Sequence, residues 1–150
     1  MLAELSSLAG MAGAAFLAAT LIPAQSEAVF VALLAAKTAH PLALFLIASL
    51  ANTAGSALNW WLGRLIADGA VQRLPGWLQP RPDTLEKASA LFSRFGWPSL
   101  LLSWVPVIGD PLTLAAGLLR YPFWRFVALV ALAKSARYAV LWAGWVAVVG

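Results

Sequence analysis

Two stretches of this chain, Ile22-Pro23-Ala24-Gln25-Ser26-Glu27 and Val105-Pro106-Val107-Ile108-Gly109-Asp110, repeat one pattern in the middle of apolar sequence. In each, a proline interrupts a hydrophobic run, a small residue follows three positions on, and a carboxylate comes next. A basic residue, Lys37 or Arg120, lies ten positions beyond each carboxylate. Proline removes a backbone donor and breaks a helix, and a carboxylate in apolar surroundings needs a partner or a proton. A break and a charge duplicated together mark a candidate site.

The sequence around both motifs is too apolar for a soluble globule. Of 150 residues, 62% are hydrophobic and only 11% charged, and the mean hydropathy is +0.83. So few polar residues cannot coat a water-facing surface, and the chain reads as integral to a membrane. A net charge of +4 would suggest nucleic acid in a soluble protein. No nucleic-acid motif accompanies it here, and the basic residues read as topology signals and contacts to anionic lipid. Membrane lipids are the expected partners, with anionic head groups favoured and nucleic acid excluded. Cysteine is absent, which removes disulfides and thiolate chemistry. The one histidine, His40, sits at a turn before Pro41 and leaves little for a metal cluster. Nucleophile elbow, phosphate loop and His-rich spacing are all missing, so no enzyme activity, metal or cofactor is expected. Glu4, with no Lys or Arg before Lys37, argues against a secretory signal with a basic leader.

Only Pro41 to Gly63 and Phe123 to Val149 reach the roughly 20 apolar residues needed to cross a bilayer as a helix. The stretches Ala9 to Ile22, Ala28 to Ala36, Leu100 to Val105 and Leu112 to Leu119 are too short to cross alone. Pro23, Pro106 and Gly109 therefore mark either the tips of hairpins that dip in and return, or kinks in two ordinary spans. Hairpins put Arg64, Arg73, Arg81, Lys87, Arg94, Arg120 and Arg125 on one side and Lys37 alone on the other. Four spans would move Arg120 and Arg125 to the side of Lys37. The positive-inside tendency favours hairpins, with the central segment cytoplasmic and both termini outside.

The expected fold is an all-α integral membrane protein, a single domain of two inverted repeats, residues 1–63 and 96–150. Each repeat is a re-entrant helical hairpin plus one transmembrane helix. Residues 64–95 form a cytoplasmic linker, in which Asp83-Thr84-Leu85-Glu86 reads as a capping box. That box would open an interfacial amphipathic helix with Leu85, Ala88, Phe92 and Phe95 on one face. Inverted repeats with broken helices at the midplane are a transporter design.

Within this frame the residues fit for substrate binding or proton coupling are Glu27, Asp110, Lys134 and Arg137. An acid near the bilayer centre costs about 2.5–3.5 kcal/mol on insertion scales. Lys134 and Arg137, three residues apart on one face of the last span, are too deep to snorkel and should point inward. The acids also suit the first turn of the returning half-helices, and the four charges could be internal glue alone. Thr20, Gln25, Ser26, Asn52, Asn59 and Ser103 are candidate cavity-lining residues, with helix packing the competing role for Asn52, Ser56 and Asn59. The tryptophans read mostly as interface anchors. Small-residue faces at Gly10, Gly13 and Ala14, or at Gly55 and Gly63, could join two copies as a homodimer.

The stretch Leu102-Ser103-Trp104-Val105-Pro106 through Ala115-Ala116-Gly117, with Phe95-Gly96 before it and Phe123-Trp124-Arg125-Phe126 after it, resembles the second-half signature of the DedA superfamily. These are SNARE-associated, VTT-type membrane proteins. Pro23 to Glu27 and Asn52-Thr53-Ala54-Gly55 through Leu62-Gly63-Arg64 resemble its first-half signature. The wording Ser-Trp-x-Pro-x-x-Gly-Asp and Lys134-Ser135-Ala136-Arg137-Tyr138 are most like the short YqaA-like branch. The resemblance implies paired re-entrant hairpins, a bacterial inner-membrane location, and transport or scrambling of phospholipid or undecaprenyl phosphate. It carries a membrane-embedded acid onto Glu27. The superfamily usually has an arginine three residues after the second proline, where this chain has Gly109; the basic charge is expected at Lys134 and Arg137 instead. The favoured function is a lipid or lipid-phosphate transporter with a charged midplane cavity, proton-coupled in one variant. The alternatives are a structural or assembly protein and an ion or proton pathway.

Because the chain has no cysteine, single cysteines at positions 37, 73 and 120 can be labelled with an impermeant reagent without background. Positions 73 and 120 should label from one side and position 37 from the other; labelling of 37 and 120 from the same side would establish four spans.

Overall fold

In hydrocarbon, every backbone N–H and C=O must find its partner within the protein, and apolar sequence meets this requirement as helix. The computed structural model describes residues 1–19, 26–79, 81–105 and 108–150. Among these are six α-helices and no strand. They are α1 (Leu2–Ala18), α2 (Ser26–Ala36), α3 (Pro41–Ala67), α4 (Pro82–Phe95), α5 (Gly109–Leu118) and α6 (Phe123–Val149), with a 3₁₀ segment, Trp97–Trp104, between α4 and α5. Among the described residues, only α3 and α6, 27 residues each, are long and apolar enough to cross a membrane.

Local signals set the helix ends. The His40 Nδ1 accepts the Leu42 N–H at 3.3 Å, capping α3, and Pro41 fills the first turn. There its missing donor is no loss. Soon after α2 and α5, Lys37 and Arg120 turn the chain with left-handed backbone, φ 52° and 60°. At α4 the expected capping box does not form. Pro82 takes the first position, Arg81 before it is extended, and no side chain caps the end. A residue preceding proline is driven out of helical conformation, so the helix starts ahead of Asp83. Ala88 and Phe92 of α4 are buried within the protein, packed in a core with residues of α5 and α6, whereas Phe95, at its end, is exposed.

The two long helices run antiparallel. Phe45, early in α3, meets Trp142, late in α6, with ring centroids 5.9 Å apart, and Trp60, late in α3, meets Phe123, the first residue of α6, at 5.0 Å. Helices of this length are about 40 Å from end to end. At one end Glu4, Lys37 and His40 line a common cleft with Trp142 and Trp145. At the other, Arg120 pairs with Asp68, just past α3, at 2.8 Å. Lys37 and Arg120 therefore stand at opposite ends, and α2 returns the chain to the end from which α1 starts.

Two apolar cores hold the bundle. Met11, Ala15, Phe30, Leu34, Leu44, Ala48 and Tyr138 join α1, α2, α3 and α6. Ala88, Phe92, Leu100, Leu112, Ala115, Ala116, Phe126 and Val130 join α4, the 3₁₀ segment, α5 and α6. Trp60 is a packing residue against this second core, with its Nε1–H donating to the Tyr121 carbonyl at 3.0 Å, and not a lipid anchor. Leu46, Leu50, Leu132, Val140 and Val148 face outward.

Close approach of backbones depends on glycine. A Cβ on Gly55 would collide with the Phe16 carbonyl of α1, and one on Gly117 with the Trp60 carbonyl of α3. Gly63 is likewise closed against Leu114 and Leu118 of α5. Gly55 and Gly63 thus serve contacts within the chain, while Gly10 and Gly13 meet nothing within 4 Å. Gly117→Ala should lower the thermal midpoint: backbone overlap costs about 1–3 kcal/mol and outweighs a helix-propensity gain of about 1 kcal/mol. Gly144→Ala, where a Cβ meets open space, should be neutral or stabilising. Equal behaviour of the two variants in thermal unfolding would show that the α3–α5 contact is not tight.

Candidate functional site

Four charges meet between the two cores. Glu27 lies in the first turn of α2 and Asp110 in the first turn of α5, while Lys134 and Arg137 straddle the middle of α6. Lys134 Nζ donates to Asp110 Oδ1 at 3.1 Å. Arg137 Nη1 pairs with Glu27 Oε1 at 2.9 Å and also donates to the Trp104 carbonyl, which ends the 3₁₀ segment, at 3.3 Å. One face of α6 therefore holds the start of α2, the end of the 3₁₀ segment and the start of α5. Opposite charge at 3 Å in a low-dielectric interior offsets the desolvation that each ion suffers alone.

The acids occupy helix starts, where backbone N–H groups favour negative charge, yet no side chain caps α5. The carboxylate of Asp110 is given to Lys134 and not to its own helix. Exposure differs across the cluster. The Lys134 side chain is 2% exposed and Arg137 11%, whereas Asp110 is 24% and Glu27 33% exposed. Lys134 is buried and Arg137 nearly so, and the two acids are partly exposed. Arg137 Nε is in addition buried without a partner, one unused donor of a five-donor guanidinium.

A neutral hydrogen-bond chain lies beside the charges. Asn52 Nδ2 donates to the Tyr138 hydroxyl at 3.1 Å, and that hydroxyl donates to Ser26 Oγ at 2.9 Å, linking α3, α6 and α2. Asn59 Nδ2 donates to the Ala19 carbonyl at 2.7 Å and to Thr113 Oγ1 at 3.2 Å, and Thr113 donates to the Asp110 carbonyl at 2.6 Å. Of the expected lining residues, Ser26, Asn52, Asn59 and Ser103 are all fully buried. The Oδ1 atoms of Asn52 and Asn59 and the hydroxyls of Ser56 and Ser103 have no partner. Gly109, expected at a hairpin tip, opens α5, where a Cβ would strike the Ser103 backbone. Thr20, Pro23, Gln25 and Pro106 lie outside the described residues.

The sequence reading missed Tyr138, Thr113 and the Trp104 carbonyl. Tyr138 was within reach: four residues after Lys134, it shares that residue's helical face. Thr113 and the carbonyl carry no pattern that marks them before the helices are assembled. The described residues contain no cluster of His, Cys, Asp or Glu able to hold a metal ion.

Long apolar helices, apolar side chains facing outward and ion pairs kept between two cores define an integral membrane protein. A family model described as the VTT domain matches residues 22–145. The inner membrane protein YqaA of Escherichia coli is 36% identical over 140 residues, covering 93% of this chain and 92% of that protein. The inner membrane protein YqaA of Shigella flexneri matches to the same extent. An uncharacterized protein of Haemophilus influenzae is 36% identical over 145 residues, covering 92% of this chain and 87% of its own length. No solved structure matches the chain. The chain belongs to the VTT-domain, or DedA, family of membrane proteins.

The pairing of Asp110 with Lys134 and of Glu27 with Arg137 defines a double-mutant cycle. Asp110→Asn alone leaves a buried ammonium unpaired and should destabilise by about 3–5 kcal/mol. Adding Lys134→Met should recover much of that, with a coupling energy of about 1–3 kcal/mol. Asp110→Asn combined with Arg137→Met should recover less. Equal recovery in the two combinations, read from thermal unfolding in detergent, would refute the specific pairing.

Proposed function

We propose that the protein moves a lipid or lipid phosphate, of the phospholipid or undecaprenyl-phosphate class, across the bacterial inner membrane through a cavity at the four charges. The observation that carries this reading is the unequal exposure of the cluster. Ion pairs that only glue helices together gain from being closed on all sides, but here Asp110 and Glu27 are partly exposed while Lys134 is buried and Arg137 nearly so. An anionic head group can approach from the open side and exchange with a carboxylate for Lys134 or Arg137. The starts of α2 and α5 bring helix-terminal donors suited to phosphate.

In this reading α1–α2 and the 3₁₀ segment with α5 are re-entrant hairpins, α3 and α6 are the two crossings, and residues 1–63 and 96–150 are inverted repeats. The opposite placement of Lys37 and Arg120 supports it, as does the matching of a short helix to a 27-residue helix in each half. Residues 64–95 then face the cytoplasm, with α4 at the interface, and the protein acts as a transporter and not as an enzyme. The unoccupied glycines Gly10 and Gly13 are the face we assign to a homodimer.

Reconstitution into liposomes tests the function. Wild-type protein should accelerate translocation of a fluorescent phospholipid or of a polyprenyl phosphate. The folded double variant Asp110→Asn with Lys134→Met should lose at least tenfold, since one charge-assisted contact at 1.5–3 kcal/mol corresponds to about that factor. Full wild-type rate in the double variant would leave the charges as structural glue. No protein-dependent movement of any head group would favour an assembly role, and proton flux without lipid movement would favour an ion pathway.

A further inference from the structure

A second polar site lies away from the four charges. At the end where α2 finishes and α3 begins, a cleft of about 550 Å³ is lined by Glu4, Lys37, Thr38, His40, Trp142 and Trp145, among others. Its volume falls within the range of small-molecule sites, about 300–1,000 Å³. Glu4 and Lys37 carry opposite charge and border the same space, yet no ion pair joins them among the described residues. Each is an exposed side chain and free to take a ligand. Thr38 Oγ1 is buried and without a partner. The Nδ1 of His40 is occupied by the Leu42 N–H, so Nε2 carries the ring proton of the neutral form and is a donor. Backbone geometry fixes Lys37 here, because the left-handed turn at φ 52° ends α2 and starts the approach to Pro41.

We infer that this cleft binds the zwitterionic head group of a phospholipid with a primary ammonium, phosphoethanolamine in chemical class. Lys37 and His40 supply donors for the phosphate, and Glu4 accepts from the ammonium. The indoles of Trp142 and Trp145 supply an amphipathic wall that also favours a cation over its face. Position selects lipid over a soluble zwitterion. The cleft lies at the end of both membrane-crossing helices, at head-group depth, where tryptophan is enriched, and its lining includes the apolar Leu34 and Val146. The inference rests on membrane placement and does not require transport.

The full-length protein in detergent, incubated with phosphatidylethanolamine, phosphatidylglycerol or phosphatidic acid and read by native mass spectrometry, provides the test. The wild type should retain phosphatidylethanolamine over phosphatidylglycerol. Glu4→Gln should abolish that preference, a loss of about tenfold for one charge-assisted contact, and Glu4→Lys should reverse it. Lys37→Asn, a residue that tolerates the left-handed turn, should weaken both lipids. Equal retention by the wild type, or an unchanged preference in Glu4→Gln and Glu4→Lys, overturns the proposal. Asp110→Asn with Lys134→Met separates this site from the transport reading. If that variant loses translocation but keeps the lipid preference, the two sites are distinct, whereas loss of the preference along with translocation places lipid selection at the four charges and overturns the cleft. A wild type that moves no lipid but shows the preference removes transport alone.

Discussion

Two cations in the middle of α6 constrain everything around them. Lys134 and Arg137 lie about 20 Å from either end of their helix, too far for their side chains to reach water. Their counter-charges must therefore be brought to them. The chain does this by stopping two helices inside the protein, so that each begins with an acid at the level of the cations. A continuous helix would have carried Glu27 and Asp110 past α6 at whatever angle its turn dictated. A helix that starts there aims its first-turn carboxylate and its free N–H groups at the same place.

The same requirement explains the tight packing of α3. With α1 and the 3₁₀ segment ending, and α2 and α5 starting, inside the protein, the backbone groups at those ends need partners from neighbours. Asn59 takes the carbonyl of Ala19, where α1 finishes, and Arg137 takes that of Trp104. Such reach is possible because glycines let α1 and α5 lie directly on α3. Small residues on α3 are thus tied to the polar ones: Gly55 and Asn59 lie four apart on one face, the first giving closeness and the second using it.

Much of this architecture was legible in the sequence. Helix content and the two long helices follow from the apolar runs, and the four charges stand out as residues that hydrocarbon tolerates only for cause, whereas the breaks at Pro23 and Pro106 lie outside the described residues. The partners of those charges were not legible. Lys134 and Arg137 are three apart, less than a turn, and which acid each meets depends on how α2 and α5 are rotated about their axes, a matter of packing. The false capping box at Asp83 to Glu86 has a local cause: a motif that fits the pattern was pre-empted by Pro82, whose ring fixes the first helical turn two positions sooner. Trp60 was misread because an indole near a helix end has the same composition signal whether it meets lipid or, as here, a carbonyl and two phenylalanines.

The Tyr138 hydroxyl has one proton and stands between two helices, receiving from Asn52 and giving to Ser26. The three groups are connected in series, with the tyrosine as the middle link, and a series connection has a direction and a weakest point. With the Asn52 Nδ2 turned toward the tyrosine, the hydroxyl accepts on that side and gives its own proton to Ser26 on the other. Rotation of α6 by a few degrees would open both links at once and strand one polar atom on α2 and another on α3. The tie therefore holds α6 against both neighbours at once, and the register of α6 is held by an oxygen atom that lies one residue from the arginine it helps to aim.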